Sequence, residues 1–354
     1  MRRIIFLAPL LLAALCEKPP PPKPPPPPPD PKAELTAKLD ELYKALELQE
    51  PERLNEVLTA DVLAYGLGNR DTFTNRDEIV ESVRTELIPY GLRGDQFKRV
   101  TTSPHVQLAP GELSGWFYDF ARFEQVRSGK ASKFWKVRIT GHAIFDAPLK
   151  LEGGIRSPKD NEEGPAPKNH WRVDALHVSF GYPDTELYAP DAAKKLKAPE
   201  TAGADKPSGT EELVGLTRRM LDDIAVKVER TSESTQAVLI GTDPGDVFEG
   251  GGKFKELARP RLPELKKAAF TLKIEDGPRA RMAQDGKSGW VSGVVVLRLG
   301  KPPKQQVLPA FRALWIFAVE KDLWSLVSEH QSLGLPVDLR KPAGDDEPTA
   351  DGGS

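Results

Sequence analysis

Two stretches, 171–183 (WRVDALHVSFGYP) and 324–336 (WSLVSEHQSLGLP), decide how this sequence is interpreted. Trp, His, Ser, Gly and Pro stand at the same places in both, 153 residues apart (324 − 171). Scattered identities at a constant offset indicate a duplicated unit, because chance similarity would not keep their order and spacing. The chain therefore contains two copies of one structural unit.

The repeat extends upstream with a changed offset. The matching positions are Gly66/Gly241, Asp71/Asp246 and Phe73/Phe248, then Ser114-Gly115-Trp116/Ser288-Gly289-Trp290 and Arg138/Arg312. The offset is 175 (241 − 66) for the first three pairs and 174 (288 − 114) for the others. Its later fall to 153 corresponds to a stretch rich in Gly, Pro and charge near 150–169, which predicts a long exposed loop inserted in the first copy.

Bulk composition excludes several function classes. A length of 354 residues favours about two domains. The net charge of −2, with both signs mixed along the chain, gives no support for nucleic-acid binding. A single cysteine excludes an intrachain disulfide, and none of the five histidines has a zinc-motif spacing. We therefore predict no metal, no cofactor and no nucleic-acid partner.

The N-terminus indicates secretion. Arg2 and Arg3 precede an apolar run at 4–15, which is too short to span a bilayer comfortably and ends at Cys16. The segment resembles bacterial lipoprotein signals, which implies a signal at 1–16, lipidation of Cys16 and a membrane anchor. The expected location is the cell envelope, on an outer- or inner-membrane lipoprotein facing the periplasm or the surface. An ordinary secretory signal with an incidental cysteine stays open.

Three further segments are predicted to lie outside the folded units. A proline-rich spacer at 17–32 holds eleven prolines within 19–31, and polyproline II geometry would extend those thirteen residues over about 40 Å. An SH3- or WW-like partner for this run is the alternative. A linker is expected at 191–208 and a disordered tail at 341–354.

Hydrophobic periodicity predicts the same order of elements in both copies. The leucines at 35, 39, 42 and 46 mark an amphipathic helix, and the apolar residues at 213, 216, 220 and 224 mark its counterpart. A short helix, a short strand, a third helix and four strands should follow. The predicted strands are 98–108, 113–124, 134–145 and 171–180 in the first copy, and 270–275, 289–299, 310–319 and 324–333 in the second.

This order resembles the nuclear transport factor 2-like superfamily and, within it, SnoaL-like domains. The resemblance rests on the turn after the short strand (66–68 and 241–243), the third-helix start at Arg76-Asp77-Glu78-Ile79, the Ser-Gly-Trp strand and the closing Trp-x5-His-x-Ser strand. It implies an α+β fold of two tandem cone-shaped domains, 33–190 and 209–340. Each would have three helices packed on a curved antiparallel sheet around a pocket.

Six residues are predicted to bind a ligand in these pockets. Strand alternation puts Trp171, Val173, Ala175, His177 and Ser179 on one side, with His330 on the matching side of the second copy. Imidazoles titrate near neutral pH and tryptophans stack on flat ligands. The candidates are Tyr65, Trp116, His142, His177, Trp290 and His330. Structural roles, as satisfied buried histidines and core tryptophans, are the alternative.

Catalysis has weaker support. Ketosteroid isomerase-like enzymes need a carboxylate base facing a tyrosine in an apolar cavity, and the first copy offers Tyr65, Tyr118, Asp119 and Asp174. The second copy has no tyrosine. The sequence thus favours non-catalytic binding of a small apolar ligand or an envelope protein. A tethered isomerase, cyclase or hydrolase using the first domain, and a structural module in which the two sheets pair, remain alternatives.

Overall fold

A computed structural model describes residues 30–68, 70–92, 95–127, 130–146, 170–182, 184–187, 192, 196, 209–267 and 270–335. The predicted signal, most of the spacer and the inserted loop at 150–169 lie outside these residues. So do almost all of the predicted linker and the whole predicted tail. In the described part, no helix is long and apolar enough to cross a membrane.

The first domain begins with helices and continues into a mixed sheet. Its helices are α1 (Pro31–Glu47), a 3-10 helix (Pro51–Glu56) and α2 (Arg76–Leu92). The short α3 (Asp184–Leu187) follows the sheet and places Leu187 in the core of the second domain. Its strands are β1 (Leu58–Tyr65), β2 (Thr72–Phe73), β3 (Asp95–Thr101), β4 (His105–Leu108), β5 (Ser114–Arg127), β6 (Lys130–Phe145) and β7 (Trp171–Ser179). They lie in the order β2-β1-β7-β6-β5-β3, with β4 beside β5 and β1 parallel to β7.

The second domain repeats this plan. Its helices are α4 (Glu211–Asp222), α5 (Ile224–Arg230), α6 (Gly251–Ala258) and α7 (Leu262–Lys267), with a 3-10 turn (Arg259–Arg261) between the last two. Its strands are β8 (Val238–Ile240), β9 (Val247–Glu249), β10 (Phe270–Met282), β11 (Ser288–Leu299), β12 (Gln306–Val307), β13 (Phe311–Glu320) and β14 (Leu323–Ser332). Their order is β10-β11-β13-β14-β8-β9, again with one parallel pair, β14 and β8. The molecule is therefore α+β with two separate sheets.

Prolines account for two differences from the predicted elements. The strand predicted at 98–108 is two strands, β3 and β4, both paired with β5. Pro104 lies in the break, and it cannot donate to a strand ladder. The third helix expected in the second copy is divided: α6 ends at Ala258, and a 3-10 turn containing Pro260 separates it from α7.

Each sheet has a helix face, which packs on the helices of its own domain, and a contact face, which packs on the other sheet. The helix face of the first sheet joins Phe117 and Val137 to Leu35 of α1. That of the second joins Trp315 and Phe317 to Leu213 of α4. A third cluster combines contact-face residues of both sheets: Leu63, Tyr65, Ala109, Trp116, Ala175, Trp290, Leu314, Ile316, Ala318 and Val327.

A β-bulge overturns the predicted alternation of the closing strand. In β7 the register passes from His142↔Ala175 to Ala143↔Val173, which leaves Asp174 as the extra residue. Trp171 and Val173 consequently lie on the helix face, whereas Ala175 lies on the contact face. The prediction that 171, 173, 175, 177 and 179 share one side was wrong. Strand β14 has the same bulge at Val327, 153 residues later, so the duplication preserved it.

Candidate functional site

All six predicted site residues are buried between the two sheets rather than inside the cones. Each comes from a different strand, and none exposes more than 6% of its surface. The strands are β1 (Tyr65), β5 (Trp116), β6 (His142), β7 (His177), β11 (Trp290) and β14 (His330). The structure thus brings them together in one layer. Their predicted role in ligand binding stays a prediction.

The two histidines of the repeated motif stack on each other. The ring centroids of His177 and His330 lie 4.0 Å apart with a 16° interplanar angle. His177 Nε2 is 2.7 Å from Ser332 Oγ, and His330 Nε2 is 2.7 Å from Ser179 Oγ. Each histidine of the motif therefore pairs with the motif serine of the other copy. Burial, followed by nearby cationic groups, lowers both pKa values well below 6.5, so both rings are neutral at neutral pH.

A serine, a histidine and an aspartate line up across the two domains. Ser288 Oγ is 2.7 Å from His142 Nε2, and His142 Nδ1 is 2.6 Å from Asp174 Oδ1. Trp290 Nε1 donates to the second oxygen of Asp174 at 3.0 Å. This is the order of groups in a hydrolytic triad. All three side chains are nevertheless fully buried, and Ser288 Oγ lies 2.6 Å from Ser114 Oγ, so a substrate has no approach to the hydroxyl.

Two buried arginines hold the turn that follows the short strand of the opposite domain. Arg138 donates to the carbonyls of Gly241 and Asp243 at 3.0 and 2.9 Å. Arg312 donates to the carbonyls of Gly66, Gly68 and Asp71 at 2.7, 3.0 and 3.0 Å. Burial lowers the pKa of Arg138 to about 10, which still leaves it charged at neutral pH. The repeated arginine and the repeated glycine turn thus bind each other reciprocally.

Backbone contacts complete the same reciprocity. Tyr182 N donates to Thr242 O at 2.8 Å, and Leu335 N donates to Leu67 O at 3.0 Å. Gly181, in the repeated Gly-x-Pro motif, has no room for a side chain because a Cβ would lie 2.5 Å from Cα of Pro244. The residues of the repeated motif therefore form the contact between the two copies.

The contact is symmetric in backbone but not in chemistry. Thr140 Oγ1 lies 3.0 Å from His330 Nδ1, whereas Leu314 holds the position that matches Thr140. Ile316 and Val327 likewise hold the positions that match His142 and Asp174. At these three positions the first copy is polar and the second is apolar, while the histidine, serine and arginine contacts are shared by both copies.

The four residues considered for acid–base chemistry do not converge. Tyr65 and Asp174 lie in the contact between the sheets, and the Tyr118 hydroxyl donates to Glu249 at 3.2 Å. Asp119 lies in the first domain, where Tyr43 donates to it at 2.7 Å and Ser103 N donates at 3.1 Å. Burial raises the pKa of this carboxyl, while the two donors lower it. Sequence reasoning missed Tyr43 because it lies 76 residues from Asp119.

Sequence reasoning also missed a charged cluster on the helix face of the second sheet. Glu329 is 3% exposed there, and Lys227 of α5 contacts its carboxylate at 2.5 Å. Trp315 Nε1 and Gln331 Nε2 donate to the other oxygen at 3.1 and 2.6 Å. The only available signal was an acidic residue within a strand of buried neighbours, and it does not identify Lys227. In the described residues, no group of three His, Cys, Asp or Glu is arranged to hold a metal ion.

No family model and no curated protein matches this chain, but solved structures do. An NTF-2-like protein of unknown function from Shewanella oneidensis is 14% identical with a TM-score of 0.27, over 35% of this chain and 99% of its own. An NTF2-like protein of unknown function from Pseudomonas putida is 14% identical with a TM-score of 0.30, over 39% and 93%. One from Salmonella enterica is 16% identical with a TM-score of 0.28, over 36% and 89%. Each match spans about one domain and carries no information on ligand or activity.

Proposed function

We propose that this protein is a non-catalytic binding module of the bacterial cell envelope. It would consist of two SnoaL-like, nuclear transport factor 2-like domains tethered to a membrane through lipidated Cys16. One observation supports this function above the others: the polar groups of the candidate site bind each other across the two sheets. The shared layer then works as a domain contact, and binding is left to the helix faces.

The helix face of the second sheet is the better candidate for binding a small apolar ligand. Half-buried apolar side chains of α5, β9 and α6 pack against its core, namely Val226, Phe248 and Phe254. Most small-molecule sites combine such an apolar lining with a few placed polar groups. The Glu329–Lys227 pair supplies polar groups of that kind.

Calorimetric titration with 1-decanol tests this function. We expect saturable binding with one site per chain and a negative heat-capacity change, because apolar surface is removed from water. Substitution of Phe254 by Ser should weaken binding, whereas substitution of the exposed Leu323, at the far end of β14, should leave it unchanged. Absence of saturable binding to the unmodified protein would reject the apolar-ligand function.

The anchor is tested separately. Mass spectrometry of the protein extracted from bacterial membranes should find an acylated N-terminal peptide that begins at Cys16. A Cys16→Ser variant should move to the soluble fraction. An unmodified, soluble N-terminus in the unsubstituted protein would show that the leader is an ordinary secretory signal.

A tethered isomerase is the second candidate, and the buried Tyr43–Asp119 pair is the observation in its favour. A carboxyl whose pKa is raised by burial, beside a tyrosine hydroxyl, is a known acid–base arrangement. If the first domain is an enzyme, Asp119→Asn should abolish turnover of an apolar ketone without weakening decanol binding. Absence of turnover by the unsubstituted protein would reject the isomerase hypothesis and leave binding as the remaining function.

A further inference from the structure

The two charged residues of the second-domain cluster, Lys227 and Glu329, differ in solvent exposure. Glu329 is enclosed at 3% exposure and uses both oxygens within the protein. Lys227 is 17% exposed, and its ammonium lies 5.9 Å from the centre of the Phe254 ring. An ammonium group carries three donors, and one is directed at Glu329. Lys227 is thus the member of the pair that can take a further acceptor beside an apolar side chain.

The first domain has no counterpart to this cluster. Leu176 and Val178 hold the positions that match Glu329 and Gln331, and Gly141 holds the position that matches Trp315. Gly141 has no room for a side chain there, because a Cβ would lie 2.3 Å from the ring of Phe117. The charged pair is therefore a feature of the second domain that the matching positions of the first domain do not share.

The helices beside Lys227 carry a positive surplus. Helix α5, which holds Lys227, packs against α6 and α7. Residues 251–273 contain seven Lys or Arg and two Asp or Glu, in a chain whose net charge is −2. A local surplus of this sign favours the approach of anions. This positive surplus alone gives a free anion little binding energy, since solvent and salt screen exposed charges.

We propose that the helix face of the second domain binds an apolar molecule that carries a carboxylate, and that Lys227 recognises the carboxylate. This inference rests on the proposed binding function and names the ligand class. The apolar part would contact Phe254 and the neighbouring ring of Phe248, whose centroids lie 5.7 Å apart. The carboxylate would accept hydrogen bonds from the Lys227 ammonium. The positive potential of the basic helices favours the carboxylate at this position. Charge-assisted hydrogen bonds of this kind are about twice as strong as neutral ones.

A comparison of decanoate with 1-decanol tests the proposal on the full-length protein. The two ligands share an apolar chain and differ in the head group. We expect decanoate to bind about tenfold more tightly, in line with one added charge-assisted hydrogen bond. Equal affinity would overturn carboxylate recognition and leave the binding function intact. Failure of both ligands to bind would reject the binding function itself.

The double variant Lys227→Met/Glu329→Gln provides the decisive control, because it removes both charges and leaves no buried ion unpaired. Its preference for decanoate should disappear while its affinity for 1-decanol stays within about twofold of the original. Lys253→Met removes an exposed charge from α6 and should keep the preference. A preference that survives in the double variant would overturn the role of Lys227.

The single variant Glu329→Gln tests the direction of the effect. The amide oxygen can still accept from Trp315 and Gln331, but Lys227 loses its internal counterion. An added carboxylate then becomes the partner of an unpaired ammonium. Decanoate should bind more tightly to this variant than to the unsubstituted protein, by about threefold or more. Weaker binding of decanoate would contradict the proposal.

Discussion

Single side chains in the contact layer behave according to their burial. His177 and His330 are fully buried against each other, with the guanidinium groups of Arg138 and Arg312 as nearby charges and Tyr65 edge-on at 5.1 Å from His177. No carboxylate hydrogen-bonds to either ring in the described residues. Desolvation and positive neighbours therefore both oppose protonation, which explains why neither imidazole can serve as a general base near neutral pH.

This predicts an acid-sensitive stability. The pKa of each ring in the folded protein lies below the unfolded value of 6.5, so the unfolded chain takes up protons first as the pH falls. The contribution of the two neutral rings to stability is therefore present at neutral pH and is lost progressively as the pH falls through and below 6.5. Urea unfolding at a series of pH values should show this slope.

A variant pair identifies the source of the slope. His177→Gln/His330→Gln should flatten the profile below pH 6.5, because neither amide titrates in that range. His105→Gln replaces an exposed histidine and should leave the profile as it is. An unchanged slope in the double variant would show that other groups cause the acid sensitivity.

At the level of strands and helices, the bulge and the glycines have specific packing roles. The bulge at Asp174 turns the second part of β7 so that its histidine and serine face the other sheet. Gly141 faces the ring of Phe117, whereas Gly215 in α4 has only the flexible end of Arg219 nearby, at 3.5 Å. The same substitution at these two glycines should therefore have opposite effects.

Gly141→Ala should destabilise the protein by about 1–3 kcal/mol, because the new methyl group would overlap Phe117 and the carbonyl of Ala175. Gly215→Ala should stabilise it by about 0.5–1 kcal/mol, as expected for a helix interior with space for a methyl group. Thermal unfolding measures both changes. A tolerated alanine at position 141 would mean that the first core is looser than the structure shows.

In the whole molecule, the two domains depend on each other through reciprocal contacts. Arg138 donates hydrogen bonds to two carbonyls of the second domain, and Arg312 donates to three carbonyls of the first, in place of the water that these carbonyls would otherwise bind. Loss of either side chain would leave buried carbonyls without their donor.

Arg138→Gln should therefore lower the free energy of unfolding by about 3 kcal/mol. This value combines the loss of hydrogen bonds from a charged donor with the penalty for unsatisfied buried acceptors. Differential scanning calorimetry should show one transition at a lower temperature. Arg84→Gln, at a surface arginine with a 42% exposed side chain, should change stability by less than about 0.5 kcal/mol. Equal effects would show that the buried contacts do not hold the domains.

A larger substitution should separate the domains. Ser114 is fully buried against Ser288, so Ser114→Arg would force a charge into the contact. Small-angle X-ray scattering should then report a larger radius of gyration. Thr271→Arg, at an exposed position of β10, provides the control and should keep the original value.

Much of the architecture was predictable from the amino-acid order. The duplicated Trp-His-Ser-Gly-Pro motif indicated two similar units, and periodic leucines located α1 and α4, because repeats and helix faces are local patterns along the chain. The six candidate side chains were predicted to line two separate pockets, whereas the fold gathers them in one layer between the sheets; their role in ligand binding stays a prediction. What the local patterns could not supply was a direction for those side chains.

Only the tertiary structure decided which face each residue occupies and what it contacts. One extra residue at Asp174 reverses strand alternation, and no composition or period signals a bulge. The partners of His142, Arg138 and Glu329 are 146, 103 and 102 residues away (329 − 227), at distances that local pattern cannot encode. Burial then fixed their chemistry, because the removal of water makes a polar group depend on whichever partner the fold brings to it.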